Sequence, residues 1–200
     1  MRMGKIIAFE GIDNCGKDTL MHKLRIKLSK TYKITTIPSV TTTEVGKLVR
    51  IYSRLGTPNK DQLVMLYMAD FYNKLELIKD AQFENDLIFC SRWFSSTMAY
   101  CGDTTKQCSI MNLLKDTLRP DITLYIKISV EESLKRQKSA FKVTDIYSNK
   151  KVLEEAALRY EDIFKDEFFN AVTLDGEKNT PNMLREEATD ALLNKNILAI

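Results

Sequence analysis

The chain has 200 residues, 44% of them hydrophobic and 28% charged, with 30 Lys and Arg against 27 Asp and Glu for a formal net charge of +3. That length supports one sizeable core, and the charge balance excludes the strong basic excess of a dedicated nucleic-acid binder. No segment approaches the roughly 20 apolar residues that span a bilayer, and no apolar run of leader length opens the sequence, so a cytoplasmic protein without a membrane partner is expected.

Short apolar runs alternate with longer helical stretches, the pattern of an α/β protein with a parallel sheet and crossover helices. Five strands are expected, at Lys5–Glu10, Lys33–Pro38, Leu87–Ser91, Asp121–Ile128 and Ala171–Leu174. Strands buried on both faces read as near-continuous apolar runs, as Ile6–Phe9 and Leu87–Cys90 do. Leu20, Leu24 and Leu28 recur every fourth residue and predict a helix to about Lys30. Asp61 is expected to cap a long helix through about Asp80. Ser129-Val130-Glu131-Glu132 has the form of a capping box opening a helix through Leu134. A further helix is expected over Lys150–Phe169, and Pro181 suits the first turn of the last one. Residues 1–200 read as one domain, with a lid segment at about 138–148. The cysteines Cys15, Cys90, Cys101 and Cys108 form no CxxC pair and His22 is the only histidine, so reduced thiols are expected and a zinc site is not.

Chemistry concentrates after the first strand. Gly11-Ile12-Asp13-Asn14-Cys15-Gly16-Lys17-Asp18-Thr19 nearly matches GxxxxGK[ST], in the strand–loop–helix setting that this phosphate-binding motif requires. Glycines let the backbone curl so that its N–H groups point at phosphate oxygens. The following helix adds the positive end of its dipole, and Lys17 a cation for the transferred phosphate. Gly11, Asn14, Cys15, Gly16, Lys17, Asp18 and Thr19 are therefore the expected ATP-binding residues. Asp18 stands where Ser or Thr usually offers a hydroxyl to magnesium.

The chain resembles the thymidylate kinase family of P-loop nucleoside monophosphate kinases. Phe9-Glu10-Gly11-Ile12-Asp13 is similar to that family's FEG-x-D segment, and Arg92-Trp93-Phe94-Ser95-Ser96-Thr97-Met98-Ala99-Tyr100 to its DR-xxx-S-xx-AY segment without the leading Asp. Arg119-Pro120-Asp121-Ile122-Thr123-Leu124-Tyr125 resembles its RPDLTLYL strand. Leu134-Lys135-Arg136 and Asp145-Ile146-Tyr147 bracket a lid-like stretch. The GKDT loop is also similar to that of some phage deoxynucleotide kinases.

The resemblance implies a three-layer P-loop kinase fold with a five-stranded parallel sheet flanked by helices, ATP and Mg2+ as cofactors, a homodimer, and transfer of phosphate from ATP to dTMP. It implies that Arg92 grips the acceptor's phosphate, that Asp13 accepts from its 3′-hydroxyl, and that Tyr67 stacks on the base. Ser96 would lie near the base, Tyr100 and Tyr147 near the sugar, and Pro38 and Phe71 are further expected substrate-binding residues. Arg136, with Lys138 or Lys142, would come down over ATP; alternatively Arg136 pairs with Glu132, four residues earlier.

Three departures stand out. Asp70-Phe71-Tyr72 stand where the family has an Arg on the thymine, Ser39 and Val40 follow Pro38 where it has a phosphate-binding Arg, and Ser91 replaces the acid before Arg92. Asp18 and Ser91 together suggest an exchange of carboxylate and hydroxyl around the metal. The departures keep three other readings open. One is a kinase for another or modified pyrimidine monophosphate, one a nucleoside kinase with Glu10 as base, and one a non-catalytic nucleotide-binding module.

Overall fold

A computed structural model describes residues 3–55, 59–139 and 149–198. Its strands are β1 (Lys5–Glu10), β2 (Ile34–Ile37), β3 (Leu87–Ser91), β4 (Ile122–Lys127) and β5 (Ala171–Asp175). All pair in parallel in the order β2-β3-β1-β4-β5, so the five expected strands form one sheet. β1 lies at its centre, and Ile6, Ile7, Ala8 and Phe9 are buried because both faces are covered.

The helices are α1 (Lys17–Leu28), α2 (Glu44–Leu55), α3 (Lys60–Glu84), α4 (Phe94–Tyr100), α5 (Thr104–Leu114), α6 (Val130–Ser139), α7 (Lys150–Ile163) and α8 (Pro181–Asn194). Leu20, Leu24 and Leu28 form the buried stripe of α1. Thr180 caps α8 by accepting from the Met183 N–H, with Pro181 in its first turn.

Several local expectations are corrected. Asn59, not Asp61, caps α3: its Oδ1 accepts the Asp61 N–H at 2.9 Å, while the Asp61 carboxylate pairs with Lys106. The capping box of α6 closes on one side only. Ser129 Oγ accepts the Glu132 N–H at 3.2 Å, but the Ser129 N–H goes to Glu177, which frees Glu132 for Arg136. The helix expected to reach Phe169 stops at Ile163, and a 3-10 turn over Glu167–Phe169 follows, capped by Asp166. That break turns Phe168 and Phe169 inward against Phe94. α2, α4 and α5 were not expected.

The topology positions the site. Phe9 and Ser91 are register partners, so the loops leaving β1 and β3 emerge side by side at the carboxyl ends of the strands. In open parallel sheets that is where ligands bind.

Candidate active site

The loop after β1 is shaped by its backbone. Gly11 has φ 144°, and a Cβ there would lie 2.6 Å from the Ile126 carbonyl; Gly16 has φ 98°. Asn14 takes the left-handed region at φ 60°, which asparagine tolerates better than most residues. Lys17 is buried at the head of α1, whereas Asp18 and Thr19 are exposed. Cys15 is buried in the loop, and burial raises its thiol pKa.

α6 braces this loop from outside. Ser133 Oγ donates to the Asp13 carbonyl at 2.7 Å. The Arg136 guanidinium donates to the carbonyls of Cys15 (3.2 Å) and Gly176 (2.8 Å) and to Glu132 at 2.8 Å. Arg136 thus takes the Glu132 pairing and touches the loop's outer carbonyls. Lys138 is exposed on the last turn of α6, and Lys142, Asp145 and Tyr147 lie outside the described residues.

The loop after β3 carries the acceptor-side cation. Arg92 has φ 62°, and its Nη2 lies 2.5 Å from Asp13 Oδ1. Its Nη1 donates to Gly11 O (3.1 Å), Ser96 Oγ (3.0 Å) and Tyr160 Oη (3.1 Å), and the guanidinium sits 5.6 Å from the Tyr100 ring centre. One residue earlier, Ser91 Oγ donates to Asp18 Oδ1 at 3.1 Å, and Lys17 Nζ lies 3.8 Å from Asp18 Oδ2.

Glu10 is fully buried at the end of β1 and collects donors from Trp93, the first turn of α4 and Tyr160 of α7. Oε1 accepts Trp93 N–H (2.7 Å) and Ser95 Oγ (2.5 Å); Oε2 accepts Ser96 Oγ (2.6 Å) and Tyr160 Oη (2.9 Å). A carboxylate so enclosed and so fully hydrogen-bonded is built to organise the start of α4. It is not open to a substrate hydroxyl, so the geometry speaks against the reading of Glu10 as a base.

A cavity of about 420 Å³ joins the two loops, with Asp13, Lys17, Asp18, Ser91, Arg92, Ser96 and Tyr100 along it. Its far wall is Pro38, Ser39, Val40, Tyr67 and Phe71, together with Arg50, Ser53 and Arg54 of α2. Arg50 donates to the carbonyls of Val40 and Thr41, each at 2.7 Å, and buried Asp70 accepts from Thr41 N–H at 2.9 Å, which pins this wall to α3. Phe71 packs edge-on against Trp93 and Phe94 at 5.0 and 5.4 Å.

Sequence reasoning missed Lys74, Trp93, Tyr160 and the α2 side chains. Buried Lys74 donates to the carbonyls of Ser91 (2.8 Å) and Arg92 (2.6 Å). Only the Val45/Val49 spacing hinted at α2, and nothing local marked Lys74 or Tyr160.

A family-wide sequence profile described as thymidylate kinase matches residues 9–187. A probable thymidylate kinase of Methanococcus aeolicus is 30% identical over 98% of this chain and 100% of its own length. A thymidylate kinase of Ehrlichia canis is 32% identical over 65% of this chain and 69% of its own. A solved structure of thymidylate kinase from Candida albicans shares the fold with a TM-score of 0.81 at 23% identity, covering 99% of this chain and 95% of that one. The chain belongs to the thymidylate kinase family.

Proposed function

We propose that this thymidylate kinase family member moves the terminal phosphoryl group of ATP onto dTMP, giving dTDP, and that it works in the cytoplasm. The observation that carries the reading is the shared cavity: the phosphate loop with Lys17 and the Arg92 loop open into one space. Donor and acceptor phosphates would meet there in line.

The acceptor oxygen is already ionised, so alignment and charge stabilisation carry the rate. Lys17 and the loop amides would neutralise the moving phosphoryl. Arg92 would hold the acceptor phosphate with its planar donor pair, sharing Asp13 between that grip and the 3′-hydroxyl. Tyr67 would stack on the base, Ser96 and Pro38 would flank it, and Tyr100 would crowd a ribose 2′-hydroxyl. Arg136 would steady the loop's rim, and Lys138 or a residue beyond it would cover ATP.

Bound magnesium would neutralise charge on the β- and γ-phosphates. The oxygen donors present suit a hard cation. The Asp18 carboxylate, oriented by the Ser91 hydroxyl, would hold magnesium directly or through water, in place of the usual hydroxyl on the loop and acid on the strand.

One observation favours a second reading. The Asp70-Phe71-Tyr72 stretch carries no Arg where the family resemblance implies one on the base, and its Phe71 ring lies edge-on to Trp93 and Phe94 instead, so another or modified pyrimidine monophosphate would also fit. A coupled ADP-release assay over a panel of monophosphates tests both. Release driven by dTMP supports the first, release driven by another pyrimidine the second, and ATP binding without release a non-catalytic module.

A homodimer is proposed through α2. Leu48, Ile51, Tyr52 and Leu55 expose 43%, 48%, 41% and 81% of their surface on that helix, with Met65 at 71% on neighbouring α3. Such a contiguous apolar face suits a self-association surface, and light scattering at working concentration tests it. No helix among the described residues is long and apolar enough to cross a membrane.

A further inference from the structure

The Arg92 loop is held from two sides by buried charges of opposite sign. On one side the Lys74 ammonium, only 2% exposed, takes the carbonyls of Ser91 and Arg92. On the other, the Glu10 carboxylate takes the Trp93 N–H and the hydroxyls of Ser95 and Ser96. The backbone between them is consequently sorted, with carbonyls turned to the cation and N–H and hydroxyl groups to the anion. Between these groups Arg92 occupies the left-handed region at φ 62°, a conformation that a non-glycine residue keeps only where its surroundings over-determine it. The Arg92 N–H closes the arrangement by donating to the Phe9 carbonyl of β1 at 2.9 Å.

Burying a lysine is costly unless hydrogen bonds repay the lost water. The site itself gives a reason to keep one. The two carbonyls that Lys74 binds flank the Cα that aims the Arg92 side chain, and without that cation their oxygens would repel one another and turn apart toward water. A positive group is also suited to this place because it attracts Glu10 across the loop, drawing the two sides together.

We propose that Lys74 is a positioning residue for acceptor binding: with Glu10 it forms a two-sided clamp that holds Arg92 in its left-handed conformation and thereby aims the guanidinium at the acceptor phosphate. The inference rests on the functional reading above only for the identity of that acceptor. The sequence supports no such role by motif, since Lys74 lies 18 residues before Arg92 on a different element.

The test is a double-mutant cycle with dTMP as the titrated probe, on wild type, Lys74→Met, Arg92→Ala and the double variant, each checked for folding by circular dichroism. Lys74→Met should weaken dTMP binding about tenfold or more, because small misplacements of a positioning group carry large penalties. It should leave the ATP KM unchanged and add nothing once Arg92 is already Ala. Lys74→Gln, which keeps an N–H donor, should recover part of the loss, and it carries the same cycle where the Met variant does not fold. Unchanged dTMP binding in Lys74→Met, or penalties that multiply in the double variant, would overturn the clamp. A crystal structure of the ligand-free Lys74 variant separates this idea from the choice of acceptor. Arg92 leaving its left-handed conformation supports the clamp whether or not dTMP is the acceptor, and an unmoved Arg92 overturns it.

Discussion

The Ser91 hydroxyl donates to Asp18 Oδ1 at 3.1 Å, linking the end of β3 to the first turn of α1 across the mouth of the phosphate loop. The pair keeps one carboxylate and one hydroxyl near the place where magnesium is expected, each on the opposite side from the usual motif. If that exchange works as a unit, its halves fail separately and recover together.

Asp18→Thr removes the carboxylate, and Ser91→Asp sets two carboxylates against each other. Each should cut kcat and Mn2+ affinity about 10–100-fold, the range for disturbed metal partners. The double variant restores one group of each kind and should exceed the worse single. Mn2+ binding followed by electron paramagnetic resonance gives a readout besides turnover, and a double variant no better than the worse single refutes the exchange.

Lys17→Met and Arg92→Ala should each lower transfer about a hundredfold or more, by removing charge from the reacting phosphates, while circular dichroism stays that of wild type. The losses should divide between substrates, Lys17 acting on the ATP side and Arg92 on the acceptor KM. Near-normal turnover in either variant would count against the site.

Glu10→Ala leaves the Trp93 N–H and the Ser95, Ser96 and Tyr160 hydroxyls without their buried acceptor. A loss of about 3 kcal/mol or more of folding stability is expected, read from the shift of the urea midpoint. A variant of wild-type stability would mean that the carboxylate does not organise the start of α4.

Burial lowers the pKa of Lys74, with Cys90, Glu10 and Asp70 opposing the shift and Arg92 adding to it. Between its folded pKa and the ordinary 10.5, the unfolded chain holds more protons than the native one, so stability contributed at this position rises with pH. Relative to Lys74→Met, which cannot titrate there, the wild type should therefore gain stability as pH climbs through the alkaline range. Denaturant midpoints of the two proteins at neutral and alkaline pH check the sign, and a difference that shrinks with pH would contradict it.

Among the four thiols, Cys15, Cys90 and Cys101 are buried and Cys108 is exposed. Burial raises the first three, Cys90 to about 11, so they stay protonated and shielded at neutral pH. A chromogenic disulfide reagent should label one thiol rapidly in the native protein and spare activity. Rapid loss of turnover traced to Cys15 would show the loop to be more open than its packing indicates.

What could be read from the sequence follows from where the information lies. Buried parallel strands declare themselves as apolar runs, and the phosphate loop is a contiguous motif, so β1, β3 and the Gly11–Lys17 segment were legible. α2 was not: it follows a run of Ser and Thr that reads as loop, and Leu48, Ile51 and Leu55 face outward rather than forming a core stripe. α4 hides for another reason. Its first turn is organised by Glu10, which is more than eighty residues away in the chain. The partners of Arg92 are as dispersed, with Asp13, Lys74 and Tyr160 brought together only by the sheet order.

Coupled ADP release with ATP, Mg2+ and a panel of dTMP, dUMP, dCMP and thymidine tests the central claim most directly. Release should be driven by dTMP, saturate with it, stay near background with thymidine, and fall sharply in Arg92→Ala. ATP bound tightly with no release that depends on any monophosphate would contradict the account.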